Sequence, residues 1–208
     1  MATNIKILFL GNSITLHGLA SYWWGDWGMA ADSRDRDYVH LFVKSLEGQG
    51  LKVEYEAYNF FAWEGMAHDR AEALQLLEPK LSDKLTLVVC QLGENIQSAE
   101  GLFEDYAEML AFIGEQAPNA KRLVIGPFWP MPEVTNAVRL AADKAGVPFV
   151  DLTALWGKQE FMCPVGYEVS GDDGKRHKVD HQGVLRHPGP KGHAEIARRL
   201  MAAWEGSV

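Results

Sequence analysis

Short apolar runs alternate with longer amphipathic stretches along the chain. The runs are Ile5–Leu10, Lys52–Tyr58, Leu85–Leu92, Leu123–Gly126 and Val147–Leu152. Their length and β-branched content predict strands covered on both faces. Between them, Tyr38, Leu41, Phe42, Ser45 and Leu46 recur at the spacing of one helix face. Ala67–Leu77 does so less cleanly. Leu102, Tyr106, Met109, Leu110 and Ile113 make a clear stripe, as do Val134, Val138, Leu140 and Ala141, which end at Gly146. Gly192–Trp204 closes the chain with Ile196, Leu200 and Trp204 on one face. Strand and helix in alternation predict a parallel sheet with helices on both sides: a three-layer α/β/α domain over residues 1–208 with about five strands. Ligands of such sheets bind beyond the carboxyl ends of the strands. Gly18–Asp37 and Trp156–Pro190 show no regular pattern. Both follow predicted strands, so both are expected over that same edge, where long loops usually carry function.

Composition narrows the partners rather than the fold. The chain has 208 residues, enough for one substantial core, with 47% hydrophobic and 23% charged positions. A net charge of −8 argues against nucleic acid, whose binding rests on neutralising phosphates, and against an anionic membrane surface. Met1-Ala2-Thr3-Asn4 lacks a basic region leading into a long apolar segment, so no signal peptide or membrane span is expected and the reading is cytoplasmic. Of the two cysteines, Cys90 lies in an apolar run and is expected in the core, and Cys163 lies in a loop. Nothing demands a disulfide.

The predicted strand ends carry reactive groups. The first run leads into Gly11-Asn12-Ser13, the second ends near Asn59 ahead of "FFAWEGM" with Gly65, and the third leads into Gly93-Glu94-Asn95. His187 stands in "RHPGPKGH" before the last helix. A hydroxyl, glycines, an amide and an imidazole on one edge are the parts of acyl transfer: nucleophile, oxyanion donors and general base. Taken singly, each reads otherwise. Ser13 and Asn95 favour turns and caps, and His187 before a proline is an ordinary loop histidine. Strand alternation points Glu94 away from Asn95, which makes it structural or a salt-bridge partner. His17 follows the serine closely and is expected at the surface, the alternative being that it lines the site. The spacings of His177, Asp180, His181, His187 and His193 match no closed zinc pattern, so neither metal nor cofactor is expected.

Three blocks in order resemble the SGNH/GDSL hydrolase superfamily. "GNSIT" is similar to its first block, "GEN" to its G-x-N block, and His187-Pro188 with Lys191-Gly192-His193 to its final H-P-x-x-x-G block. The resemblance covers nearly the whole chain and implies the superfamily's flavodoxin-like fold and a serine esterase activity. Ser13 would be nucleophile and His187 base. The Ser13 N–H and the Asn95 amide would hold the oxyanion, with a third donor after the second strand: Gly65, or the N–H of Ala62 or Trp63. The superfamily usually places an aspartate three residues before the histidine, and here that position is Val184. A valine accepts no hydrogen bond, so either a backbone carbonyl orients His187 or an acid arrives from elsewhere. Asp180 is the nearest candidate, then Asp172 or Asp173.

Aromatic residues crowd the same edge: Tyr22, Trp23, Trp24 and Trp27 in the first loop, Phe60, Phe61 and Trp63 after the second strand, Phe128 and Trp129 after the fourth. Most are expected to pack the loops against the body, with one or two reaching the substrate. Trp24, Trp63 and Trp129, with Asn12 beside the serine, are the candidate substrate contacts. The expected activity is removal of a small acyl group, such as acetyl, from a small-molecule or carbohydrate ester. The alternative is a glycan- or acyl-ligand-binding module without catalysis, which the valine at position 184 favours.

Overall fold

The computed structural model describes residues 4–66 and 69–207. Five strands form one parallel sheet: β1 (Asn4–Gly11), β2 (Lys52–Asn59), β3 (Leu87–Gln91), β4 (Lys121–Ile125) and β5 (Phe149–Val150), in the order β2-β1-β3-β4-β5. The expected α/β/α architecture is therefore present. Side-chain alternation divides each inner strand between two cores. Ile5, Ile7 and Phe9 of β1 meet α1 (Tyr38–Gly48) and the C-terminal helix α7 (Pro190–Gly206) through Phe42, Leu46, Ile196 and Leu200. Leu8 and Leu10 face the opposite layer. That layer holds α3 (Arg70–Leu77), α4 (Leu102–Gln116) and α5 (Pro132–Lys144).

Several expectations change. Lys52–Tyr58 is a strand but not one covered on both faces. β2 is a sheet edge, largely exposed, and its Lys52, Glu54 and Glu56 discourage pairing with another chain. The stretch read as one helix over Ala67–Leu77 contributes α3 only from Arg70, after a separate short helix α2 (Phe61–Gly65), and Ala67 itself lies outside the described residues. The region Trp156–Pro190 holds structure that the pattern did not show. A hairpin pairs β6 (Glu168–Ser170) with β7 (Arg176–Lys178), and a single helical turn, α6 (Gln182–Leu185), follows.

The two long loops bury each other's side chains. Trp23, Trp27, Met29 and Ala31 from the first pack with Cys163, Val169, Val179, Val184 and Leu185 from the second, forming a third cluster over the carboxyl edge. Both cysteines are buried and free.

Candidate active site

In a sheet of this order, the crevice opens where the crossovers from β1 and β3 leave in opposite directions. Ser13 follows β1 and Asn95 follows β3, so the two stand on either side of that point. β1 stops in a tight turn built by Asn12. Its carbonyl accepts from Thr15 N at 3.0 Å and Leu16 N at 2.9 Å, and its side-chain oxygen accepts from Ile14 N at 3.0 Å. The turn leaves Ser13 half-buried at the cleft, and no described residue accepts from its N–H.

His187 reaches Ser13 from the other end of the chain: Oγ and Nε2 are 2.7 Å apart. On the far side of the ring, Nδ1 lies 2.8 Å from the carbonyl oxygen of Gly183. A carbonyl only accepts, so the proton sits on Nδ1 and the Nε2 lone pair faces the serine hydroxyl. The local helix explains this contact. The His187 N–H turns to Val184 O at 3.0 Å, which leaves Gly183 O, a terminal carbonyl of α6, free for the imidazole. Burial pushes the His187 pKa down to about 4, partly offset by the Gly183 carbonyl, so the ring is neutral at pH 7.

The structure thus orients His187 with a backbone carbonyl, the first of the two options that Val184 leaves. Asp180 is exposed and makes no hydrogen bond to His187, because the α6 turn already supplies the acceptor. Asp172 pairs with Arg34 at 2.8 Å and Asp173 with His177 at 2.9 Å.

Asn95 lines the cleft with Ser13 and His187. Gly93 before it adopts φ +148°, and a Cβ there would lie 2.7 Å from Pro127 Cγ, so the block needs its glycine. Asn95 Nδ2 donates to Glu64 Oε2 at 2.7 Å. Glu64 is almost fully buried and is not among the residues that the sequence motifs single out. The available signal was a lone acid within the aromatic "FFAWEGM", since such residues are buried only with partners. Glu94 is also buried, as a structural residue but not a salt-bridge partner. It accepts from Asn12 Nδ2 at 2.7 Å, Gln91 Nε2 at 2.8 Å and Phe128 N at 2.7 Å. Burial first, then the Glu64 charge, push its pKa up to about 7.

Other candidates fall elsewhere. Gly65 ends α2, exposed and outside the cleft lining. The alternative donor at Trp63 is also committed, its N–H bonding Phe60 O at 3.0 Å. The Trp63 side chain is fully buried against Tyr106 and Arg70, as a core residue. Asn12 is fully buried, holds the turn and is not part of the cleft lining. Trp24 stacks on His177 outside the cleft. Trp129 sets its ring at right angles to His187, centroids 5.6 Å apart, and donates Nε1–H to Arg186 O at 2.8 Å, so it buttresses the histidine. His17 takes the alternative position: it lines the cleft, half-buried, with its pKa lowered by burial. Tyr22, Met29, Asn59, Phe61, His181 and Val184 complete a cleft of about 430 Å³. Among the described residues, no three His, Cys, Asp or Glu side chains gather as a metal site would.

An α/β/α protein with a serine–histidine pair at its sheet's switch point is what the fold and site define. Solved structures share that fold. The acetylxylan esterase Axe2 of Geobacillus stearothermophilus matches 97% of the chain with 94% of its own, at TM-score 0.63 and 16% identity. A protein of Parabacteroides merdae described as a GDSL-like lipase matches 98% with 96%, at 0.60 and 16%. Phospholipase A1 of Streptomyces albidoflavus matches 98% with 99%, at 0.52 and 14%. The chain has the fold of the SGNH/GDSL hydrolases. No family model and no curated protein matches the sequence.

Proposed function

We propose that the chain is a carboxylic ester hydrolase working through an acyl-serine intermediate. One observation carries the reading: Ser13 Oγ lies 2.7 Å from an imidazole nitrogen whose opposite N–H is held by a carbonyl, the arrangement that makes a neutral base for a hydroxyl. Ser13 Oγ attacks the ester carbonyl carbon as its proton passes to His187 Nε2. The Ser13 N–H and Asn95 Nδ2 donate to the oxyanion. The ester C–O bond breaks, and the leaving alkoxide takes the proton from Nε2. Water then adds to the acyl-serine, giving its proton to Nε2, and the acid departs as Oγ is reprotonated. Without a carboxylate on Nδ1, the transient imidazolium is stabilised by a dipole rather than by a charge.

The substrate we propose is an uncharged small ester. Among the described residues no lysine or arginine lines the cleft, and Tyr22, Met29, Phe61 and Val184 offer apolar walls. An acetyl group on a carbohydrate fits this lining and is supported by the acetylxylan esterase among the structural neighbours, of which a catalytic mutant carries alanine in place of a serine. Labelling by a fluorophosphonate and hydrolysis of p-nitrophenyl acetate, both absent in Ser13→Ala, test the enzyme reading. A panel of acetylated sugars tests the substrate. The carbonyl in the place of a carboxylate favours a second reading, a binding module for such ligands. Folded protein that neither labels nor hydrolyses would select it.

A further inference from the structure

We infer that Glu64 is the positioning residue of the oxyanion hole, selecting which face of the Asn95 amide the cleft receives. This rests on the hydrolase reading. Glu64 takes four hydrogen bonds: from Asn12 Nδ2 at 3.2 Å, Gly93 N at 2.6 Å, Asn95 N at 3.4 Å and Asn95 Nδ2 at 2.7 Å. Every partner is a donor, so the arrangement suits a carboxylate, which only accepts. Burial raises the Glu64 pKa, and these donors oppose that rise.

An asparagine amide presents NH₂ on one side and an acceptor oxygen on the other, and its two orientations have nearly the same shape. Beside a carboxylate they differ greatly. With Nδ2 toward Glu64, one N–H is satisfied and the other remains for the cleft. Flipped, Oδ1 would face Oε2 of Glu64 across a buried contact, two acceptors with no proton between them. The carboxylate therefore holds Asn95 as a donor before any substrate arrives, as preorganised oxyanion stabilisation requires. The same residue grips the Gly93 and Asn95 N–H groups, so it also fixes the loop that carries the amide.

Glu64→Gln separates this role from simple packing. Glutamine has the same size but one acceptor oxygen. If that oxygen keeps the Gly93 and Asn12 donors, its NH₂ meets Asn95 Nδ2, and the amide flips to offer Oδ1. Its N–H is then lost to the cleft. We expect kcat on p-nitrophenyl acetate to fall about 10- to 100-fold in Glu64→Gln with KM changed less than about threefold, a loss below that of removing an oxyanion donor outright. In an Asn95→Ala background, the same substitution should cost less than about twofold, because the group it acts through is gone. Equal losses in both backgrounds, or wild-type kcat in Glu64→Gln, would overturn the positioning role. Wild-type protein without Ser13-dependent hydrolysis overturns the hydrolase reading, and this role with it. A second measurement needs no folded Glu64 variant. In ¹⁵N-asparagine-labelled wild type, the Asn95 side-chain amide, identified by its loss in Asn95→Ala, should show one slowly exchanging proton, held by Glu64. Its other proton should shift when a phosphonate binds Ser13. Two equally fast-exchanging protons would refute the inference.

Discussion

His187 rests on a carbonyl where a triad histidine rests on a carboxylate, and it is buried at the cleft wall. The carbonyl fixes the tautomer as well as an acid would, but it adds no negative charge, so it offsets only part of the desolvation that drives the pKa to about 4. NMR titration of the imidazole should therefore show His187 neutral down to about pH 4, and a midpoint near 6.5 would contradict the buried geometry. Glu94 shifts the other way. Its folded pKa of about 7 exceeds the unfolded value near 4.5, so the native state binds the extra proton between them. That contribution is complete below about pH 4.5 and is lost as the pH rises through 7. His187 has the opposite sign. Its folded pKa is depressed, so its contribution is present above about 6.5 and lost as the pH falls toward 4. In thermal melts between pH 6 and 8, His187 and the likewise lowered His17 and His193 thus give stability an upward slope with pH, and Glu94 sets a downward slope against it. Glu94→Gln should lower stability throughout, since its NH₂ would face one of the present donors, and should remove that downward slope.

At the scale of elements, the final block is a packing device as much as a catalytic one. A Cβ on Gly192 would lie 2.3 Å from Phe161 O and 2.7 Å from Pro188 Cβ. The start of α7 is thus pressed against the Phe161 backbone and the ring of Pro188, the residue that follows His187. Gly192→Ala should destabilise the protein by about 1–3 kcal/mol in denaturant melts, the usual cost of overpacking, and should lower activity by moving Pro188 and His187. Trp63 tests the boundary between core and cleft. Its side chain is fully buried between α2 and α4, where it meets Tyr106. Trp63→Ala should cost about 3–5 kcal/mol of stability, whereas Trp63→Phe should leave KM for p-nitrophenyl acetate unchanged. A raised KM in Trp63→Phe would return Trp63 to the substrate.

Across the whole molecule, a net charge of −8 surrounds a cleft that, among the described residues, no lysine, arginine or carboxylate side chain lines. A neutral ester feels little of that field, while an anionic ester is repelled until salt screens the charge. From about 50 to 500 mM salt, with a Debye length falling from roughly 14 to 4 Å, kcat/KM for a neutral acetyl ester should change less than about twofold, whereas that of an anionic ester should rise. Stopped-assay kinetics on matched neutral and carboxylated esters would show the difference. The two long loops matter at this scale too. Their shared cluster of Trp23, Trp27, Val169 and Val184 ties the region around Ser13 to the segment that bears His187, 174 positions away in sequence.

The alternation of apolar runs determined the five strands, their parallel sense and the edge at which a site would form, because periodicity and connection rules act locally and near neighbours decide them. The resemblance of "GNSIT", "GEN" and "RHPG", taken in order, to the SGNH/GDSL blocks pointed to Ser13, Asn95 and His187. Tertiary structure decided everything that depends on which groups meet. It gave His187 the Gly183 carbonyl in place of Asp180, because a four-residue helix left one acceptor unspent beside the ring. It left Trp63, Asn12 and Gly65 outside the cleft lining and placed His17 in it. It also buried Glu64 beneath Asn95. A strand pattern reports which face a residue takes; a hydrogen bond between residues 31 positions apart has no periodicity to announce it.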